Sequence, residues 1–282
     1  GRSALAIAHI FHLYVRLTGY RMGRIHQTAI IEDGASVHPD ADVGPFCVVG
    51  KDVMLAADVT LKSHVAVAGN TKIGRGTTIF PFASIGHAPQ DLKYNGENSE
   101  LVIGENCTIR EHVTINPGTE GGGMQTRIGD NCLLMIGAHV AHDCILGDHV
   151  ILVNNATLGG HVMLGDFVII GGLSAVHQFV RIGEHAMIGG ASGVETDIIP
   201  FGSATGNRAA LGGLNLTGMK RRGFSRDDIH ALRSAYKYLF SGDGTFAERC
   251  KSVPEEYSKF LSVQTVLNFV NEETKRGFCH PE

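Results

Sequence analysis

Several things are scarce in this chain of 282 residues. Tryptophan is absent, proline numbers only 8 and charged residues make up 18%. With 43% hydrophobic residues, so low a charge excludes a largely disordered chain. Lys and Arg (24) do not outnumber Asp and Glu (28), so the net charge of -4 supplies no long-range field for nucleic acid, and a polyanion partner is not expected. The six cysteines form no C-x-x-C pair, which excludes a zinc ribbon or a disulfide framework and favours free thiols in a reducing, cytoplasmic setting. No apolar run is long enough to span a bilayer. The longest candidate, Ala4 to Leu17, is broken by His9, His12 and Arg16. Residues 1–22 read as an N-terminal extension, a short surface helix without catalytic part.

What is abundant is glycine, 37 residues, and a period of six. Ile25, Ile31, Val37, Val43, Val49, Leu55, Leu61, Val67, Ile73, Ile79 and Ile85 fall on one grid, which resumes at Ile103 and again from Ile128 to Val194. A helix needs a period near 3.6 and a strand a period of 2, so six describes a short strand plus a corner. Three such units close a triangular coil of about 18 residues, with coils stacked in parallel about 4.8 Å apart. The expected architecture is a hexapeptide-repeat parallel β-helix, a triangular prism over residues 23–200. Beyond Pro200 the grid stops. Ser225 as N-cap, with Ile229, Leu232, Tyr236 and Leu239 behind it, predicts an α-helical domain over 201–282.

The grid is broken twice. Between Ile85 and Ile103 the separation is 18, one full coil in phase, yet Asp91 and Glu97 at the intervening grid positions cannot be core; between Ile115 and Ile128 it is 13. These breaks predict loops near 87–102 and 117–127, where binding residues collect on a rigid scaffold. The first carries Gln90, Asp91, Lys93 and Tyr94, and the second carries Gly121, Gly122 and Gly123.

In a coil of this length residues 18 apart stack. His142 then lies below Gly160 and Gln178, Asp143 below His161, and Ala141 below Gly159 and His177. With His139, four histidines, an acid and a glycine amide converge over three rungs. His9, His12, His26, His38, His149 and His280 are read as surface residues. The cluster suits either a general base or a metal, since three imidazoles can share a zinc ion across a subunit interface. Asp91, Lys93, the glycine amide and the run Lys220-Arg221-Arg222 favour a base beside a developing oxyanion, with no metal.

Gln90-Asp91-Leu92-Lys93-Tyr94, Ala141-His142-Asp143-Cys144, Ala175-Val176-His177-Gln178-Phe179 and Arg221-Arg222-Gly223-Phe224, on this grid, closely resemble the UDP-N-acetylglucosamine O-acyltransferases, the family that opens lipid A biosynthesis. The resemblance implies a left-handed coil and a homotrimer with sites in the clefts between prisms. It implies transfer of a 3-hydroxyacyl group from acyl carrier protein to the 3-hydroxyl of UDP-N-acetylglucosamine, with no cofactor beyond the donor's phosphopantetheine thioester. By the same resemblance His142 is the base, Asp143 its orienting partner and Gly160 the oxyanion donor. Gln90, Asp91, Lys93, His139, His161, Gln178, Asn215 and Arg221 bind the nucleotide sugar, and Gly190 and Arg208 lie near the end of the acyl groove. Thr217 departs from the acidic residue common there. Lys220, Arg221, Arg222 and Arg226 are also candidates to receive the acidic carrier protein. Other readings are a related N-acyltransferase, a zinc hydratase and a non-catalytic scaffold.

Overall fold

The computed structural model describes residues 24–282, so the predicted surface helix in residues 1–22 lies outside the described residues. The chain winds as a left-handed parallel β-helix. Strands of mostly two residues stack into three faces. The first, of nine strands, runs from Ile30–Ile31 to Gly193–Val194; the second, of eight, from Ser36–Val37 to Arg181–Ile182; the third, of ten, from Asp42–Val43 to a closing antiparallel pair, Gly202–Thr205 and Ala210–Leu214. Strand pairing thus continues past residue 200, because Ser203 and Ala204 still pair with Met187 and Ile188 although no six-residue grid marks them.

From Val43 to Val194 the grid residues are essentially sealed from solvent. Each Val, Leu or Ile so buried contributes about 1.5–3 kcal/mol. A second row, two residues earlier in each repeat, is also buried and holds small side chains: Ala41, Cys47, Val53, Val59, Val65, Thr71, Thr77 and Ala83 in the early coils. Four of the six cysteines, Cys47, Cys107, Cys132 and Cys144, belong to this row, and all six are free thiols. They are there for volume, a small apolar side chain filling the tapering corner.

The first insertion is shorter than a full coil. Ile103 pairs with Ile73 and Ile115 with Ile85, each thirty residues apart. The chain therefore advances by only one side between Ile85 and Ile103 and throws out twelve additional residues. The second insertion adds seven, since Ile103 pairs with Ile128 twenty-five residues on. Stacking resumes in register after each, so the prism is not interrupted.

Corner residues turn the chain in the left-handed region, with φ between 58° and 66° at Asp143, His149, His161, Phe167, Phe179 and His185. Such geometry costs an L-residue roughly 1–2 kcal/mol. Stacking recovers part of that cost. Phe46, His64, Phe82 and His112 form one column of rings, and His149, Phe167, His185 and Phe201 another, with centroids 4.5–5.2 Å apart. His149, expected as a plain surface residue, is exposed yet stacked on Phe167, whereas His26 and His38 are surface residues as expected.

Five helices follow: α1 (Leu216–Arg221), α2 (Arg226–Ser241), α3 (Phe246–Lys251), α4 (Glu255–Ser258) and α5 (Leu261–Asn271). Ser225 caps α2 as predicted, its Oγ accepting from the Asp228 amide at 3.0 Å. Arg181 on the second face binds Asp197 and Glu272 and lies over the Phe269 ring, which ties α5 to the prism.

His185 is enclosed between Phe167 and Phe201, and burial, aided by nearby Arg222, pushes its pKa down to about 4. The unfolded chain, with a pKa near ~6.5, therefore takes up this proton first. The contribution is complete above pH ~6.5 and is lost as pH falls towards 4. Chemical denaturation across that window is expected to show His185→Phe losing less stability than wild type, by on the order of 1–3 kcal/mol. Equal losses would mean that His185 is not the responsible group.

Candidate functional site

The corner between the first and second faces carries the histidine cluster, because His142 and Asp143 lie between strands His139–Val140 and Ile145–Leu146. Neighbours on a plain strand point to opposite sides, but Asp143 turns at φ 59° and its carboxylate folds back beneath the imidazole. Asp143 Oδ2 is 2.8 Å from His142 Nδ1. The acid is buried and satisfied: Oδ1 accepts from the Thr119 amide at 2.9 Å, and Oδ2 from the Thr119 hydroxyl at 2.6 Å. An acceptor-only carboxylate requires a proton on Nδ1, so the lone pair of His142 sits on Nε2. Asp91 of the first insertion approaches that atom at 3.9 Å.

Thr119 comes from the second insertion, and the glycines there have a mechanical purpose. A Cβ on Gly122 would lie 1.9 Å from Asp143 Cγ, so only glycine lets the loop close over the carboxylate. Gly160 is constrained likewise: a Cβ there would be 2.6 Å from the His142 ring. Its N–H donates to none of the described groups, while its carbonyl accepts from Phe179.

The remaining predicted residues fall into two groups. His161 meets His142 edge-on at 5.0 Å and stacks on Phe179 at 4.3 Å, with its pKa lowered chiefly by burial. His139 Nδ1 is 2.7 Å from the Thr114 hydroxyl, and burial again lowers its pKa, with His142 adding to the effect. Gln178 is exposed on the next rung; Gln90 and Lys93 are exposed on the first insertion. This group gathers around one corner.

Asn215 and Arg221 do not join it. They line a separate cavity of about 710 Å³ with Ile169, Met187 and Ser203, which belong to the third face. That face is opposite the histidine corner, so the prism body separates the two groups. Asn215 is the N-cap of α1: its Oδ1 accepts from Gly218 and its Nδ2 donates to the His185 carbonyl. Thr217 and Arg222 line the same cavity. Arg222 is engaged locally, over the Phe167 ring and donating to the Phe167 carbonyl.

Gly190 is exposed, and a Cβ there would approach only the Gly172 backbone, at 3.3 Å. Arg208 points into solvent and pairs with Glu195 at 3.1 Å. His142, Asp143 and His161 place donor atoms within 4.8 Å of one another, a spacing a metal ion tolerates. Asp143, however, already accepts from Thr119 and His142, so its carboxylate and His142 Nδ1 are engaged by their own hydrogen bonds. Thr119 is absent from the sequence-based expectations, and Gly122 enters them only as part of the Gly-Gly-Gly run, with no role attached.

A family model described as UDP-N-acetylglucosamine O-acyltransferase, domain 2, matches residues 197–279, and one for bacterial transferase hexapeptide repeats matches 125–160. A relative named acyl-(acyl-carrier-protein)–UDP-N-acetylglucosamine O-acyltransferase from Azorhizobium caulinodans is 54% identical over 257 residues, covering 91% of this chain and 95% of its own. One of the same name from Methylobacterium radiotolerans is 64% identical over 203 residues, covering 72% and 75%. The solved UDP-N-acetylglucosamine acyltransferase of Campylobacter jejuni superposes with a TM-score of 0.86 at 44% identity, over 92% of this chain and 100% of that one.

Gly122→Ala is expected to displace Asp143 and lower turnover by about tenfold to a hundredfold, part of the 10²–10⁴ that a positioned general base supplies. Unchanged turnover would show that the carboxylate does not orient the imidazole.

Proposed function

We propose a reaction for this chain, which belongs to the UDP-N-acetylglucosamine O-acyltransferase family: transfer of a 3-hydroxyacyl group from acyl carrier protein to the glucosamine 3-hydroxyl of UDP-N-acetylglucosamine, the first step of lipid A biosynthesis. The observation that carries it is the buried Asp143 holding His142 with Nε2 free, one rung from the Gly160 amide. His142 Nε2 takes the hydroxyl proton as the sugar oxygen attacks the thioester carbonyl. The Gly160 N–H receives the oxyanion. As the C–S bond breaks, the proton passes from His142 to the departing thiolate. No cofactor beyond the donor's own phosphopantetheine arm enters.

The working unit is a homotrimer. Its support is the placement of Asn215 and Arg221 opposite the histidine corner: within one prism they cannot share a ligand with His142, whereas the corner of one copy set against the third face of the next brings them together. Gln90, Asp91, Lys93, His139, His161 and Gln178 then hold the nucleotide sugar from one side, and Arg221 its diphosphate from the other. Lys220, Arg221 and Arg226 form no ion pair among the described residues and suit the acidic carrier protein, while Arg222 is engaged at Phe167. The compartment is cytoplasmic, in keeping with the free thiols and with the lack, among the described residues, of any helix long and apolar enough to cross a membrane.

His142→Ala should leave the trimer folded and reduce turnover by about 10²–10⁴-fold, while chelator treatment leaves the wild type active. A variant retaining a tenth of the rate would contradict the base; loss to chelator restored by zinc would favour the hydratase.

The absence of a side chain at exposed Gly190 supports a long acyl groove, with C12 to C16 donors preferred over C10. Each further buried CH₂ is worth about 0.8 kcal/mol, roughly fourfold in affinity. Across a donor series, Gly190→Met should move the best kcat/KM to shorter chains. A wild type that prefers C10, or a variant with no shift, removes Gly190 as the ruler.

A further inference from the structure

The last residues of the chain return to the histidine corner, and nothing in the reaction so far uses them. Phe278 bridges to Asp197, and the Asp197 amide donates to the Gly277 carbonyl at 2.8 Å. The Cys279 amide returns a bond to the Asp197 carbonyl at 2.8 Å. Thr274 Oγ1 accepts from the amides of Arg276 and Gly277, both at 3.1 Å. Backbone and Thr274 thus anchor this strap without help from the side chains of Lys275 and Arg276.

Those two side chains reach the column of rings above the base. Lys275 Nζ lies 4.8 Å from the Phe179 ring centroid, and Phe179 stacks on His161. The Arg276 guanidinium donates through Nε to the Gln178 carbonyl at 2.8 Å, and its Nη2 is 2.6 Å from His177 Nδ1. His177 is exposed at this corner, one residue before Gln178.

We propose that Arg276 is a positioning residue of the active site, which fixes His177 as an Nε2–H donor directed to an acceptor oxygen of the nucleotide sugar. A guanidinium has no acceptor lone pair and stays protonated, so the facing Nδ1 must accept and the ring proton resides on Nε2. The competing contact, His177 Nδ1 to the Gln178 carbonyl at 3.2 Å, would require the opposite tautomer. It is longer, and Arg276 Nε already occupies that carbonyl. The charge-assisted bond therefore decides.

The proposal rests on the acyl transfer above, and its test separates the two. Histidine-labelled protein is examined by NMR without substrate: His177 should report the Nε2–H tautomer in wild type and a mixture in Arg276→Ala. In kinetics, Arg276→Ala should raise KM for UDP-N-acetylglucosamine about tenfold, the equivalent of one hydrogen bond. KM for the acyl donor and kcat should stay within about twofold. In a His177→Ala background Arg276→Ala should add less than about twofold, since the two act as one unit. An unchanged tautomer, a loss confined to kcat, or a full additional loss without His177 would overturn the assignment. The tautomer reading stands or falls whatever the substrate proves to be.

Discussion

Parallel pairing of one coil on the next is the constraint from which the rest of the molecule follows. Because every side of the prism takes six residues, backbone hydrogen bonds place each residue directly above the one a coil earlier, and inward aliphatic positions form continuous columns. The same register aligns corners. A small buried row, columns of alternating imidazole and phenyl rings, and the succession of Asp143, His161 and Phe179 all result from it. The insertions leave the register intact, so two loops can be hung from the scaffold without disturbing the coils that carry His142.

Burying the Asp143 carboxylate is the costly element at this corner, since an ionised acid out of water is tolerated only when its oxygens are satisfied. Thr119 supplies two donors and His142 the third. The cost therefore serves orientation: the imidazole is held by a group that cannot rotate away, and Gly122 leaves the space that makes the closure possible. The arrangement links a surface loop to the tautomer of a histidine through three short bonds.

The prism and the corner cluster were legible because both depend on a fixed spacing. His142, Gly160 and Gln178 could be aligned by counting alone. Counting failed where contacts ignore the period. Thr119 reaches Asp143 from an irregular loop, and Arg276 meets His177 from ninety-nine residues away, so neither left a mark in any repeat. The first insertion looked like a whole coil because twelve additional residues plus one side also make eighteen. His149 is exposed, as a surface reading expects, and only its stacking on Phe167 goes beyond that reading, while the strands beyond residue 200 lack the aliphatic spacing that signals the earlier ones. The resemblance assigns Asn215 and Arg221 to the same ligand as His142, and their place against the face opposite that corner supports the proposed requirement for two copies.

That requirement is the central claim, and mixing two inactive proteins tests it directly. His142→Ala and Arg221→Ala are combined in equal amounts, unfolded, refolded together and assayed for acyl transfer. If His142 of one copy works with Arg221 of the next, random trimers contain one intact site for every four positions, and activity should return to about a quarter of wild type. If the mixture stays as inactive as either variant alone, the two residues serve the same protomer or different reactions, and the account of a site shared between copies is wrong.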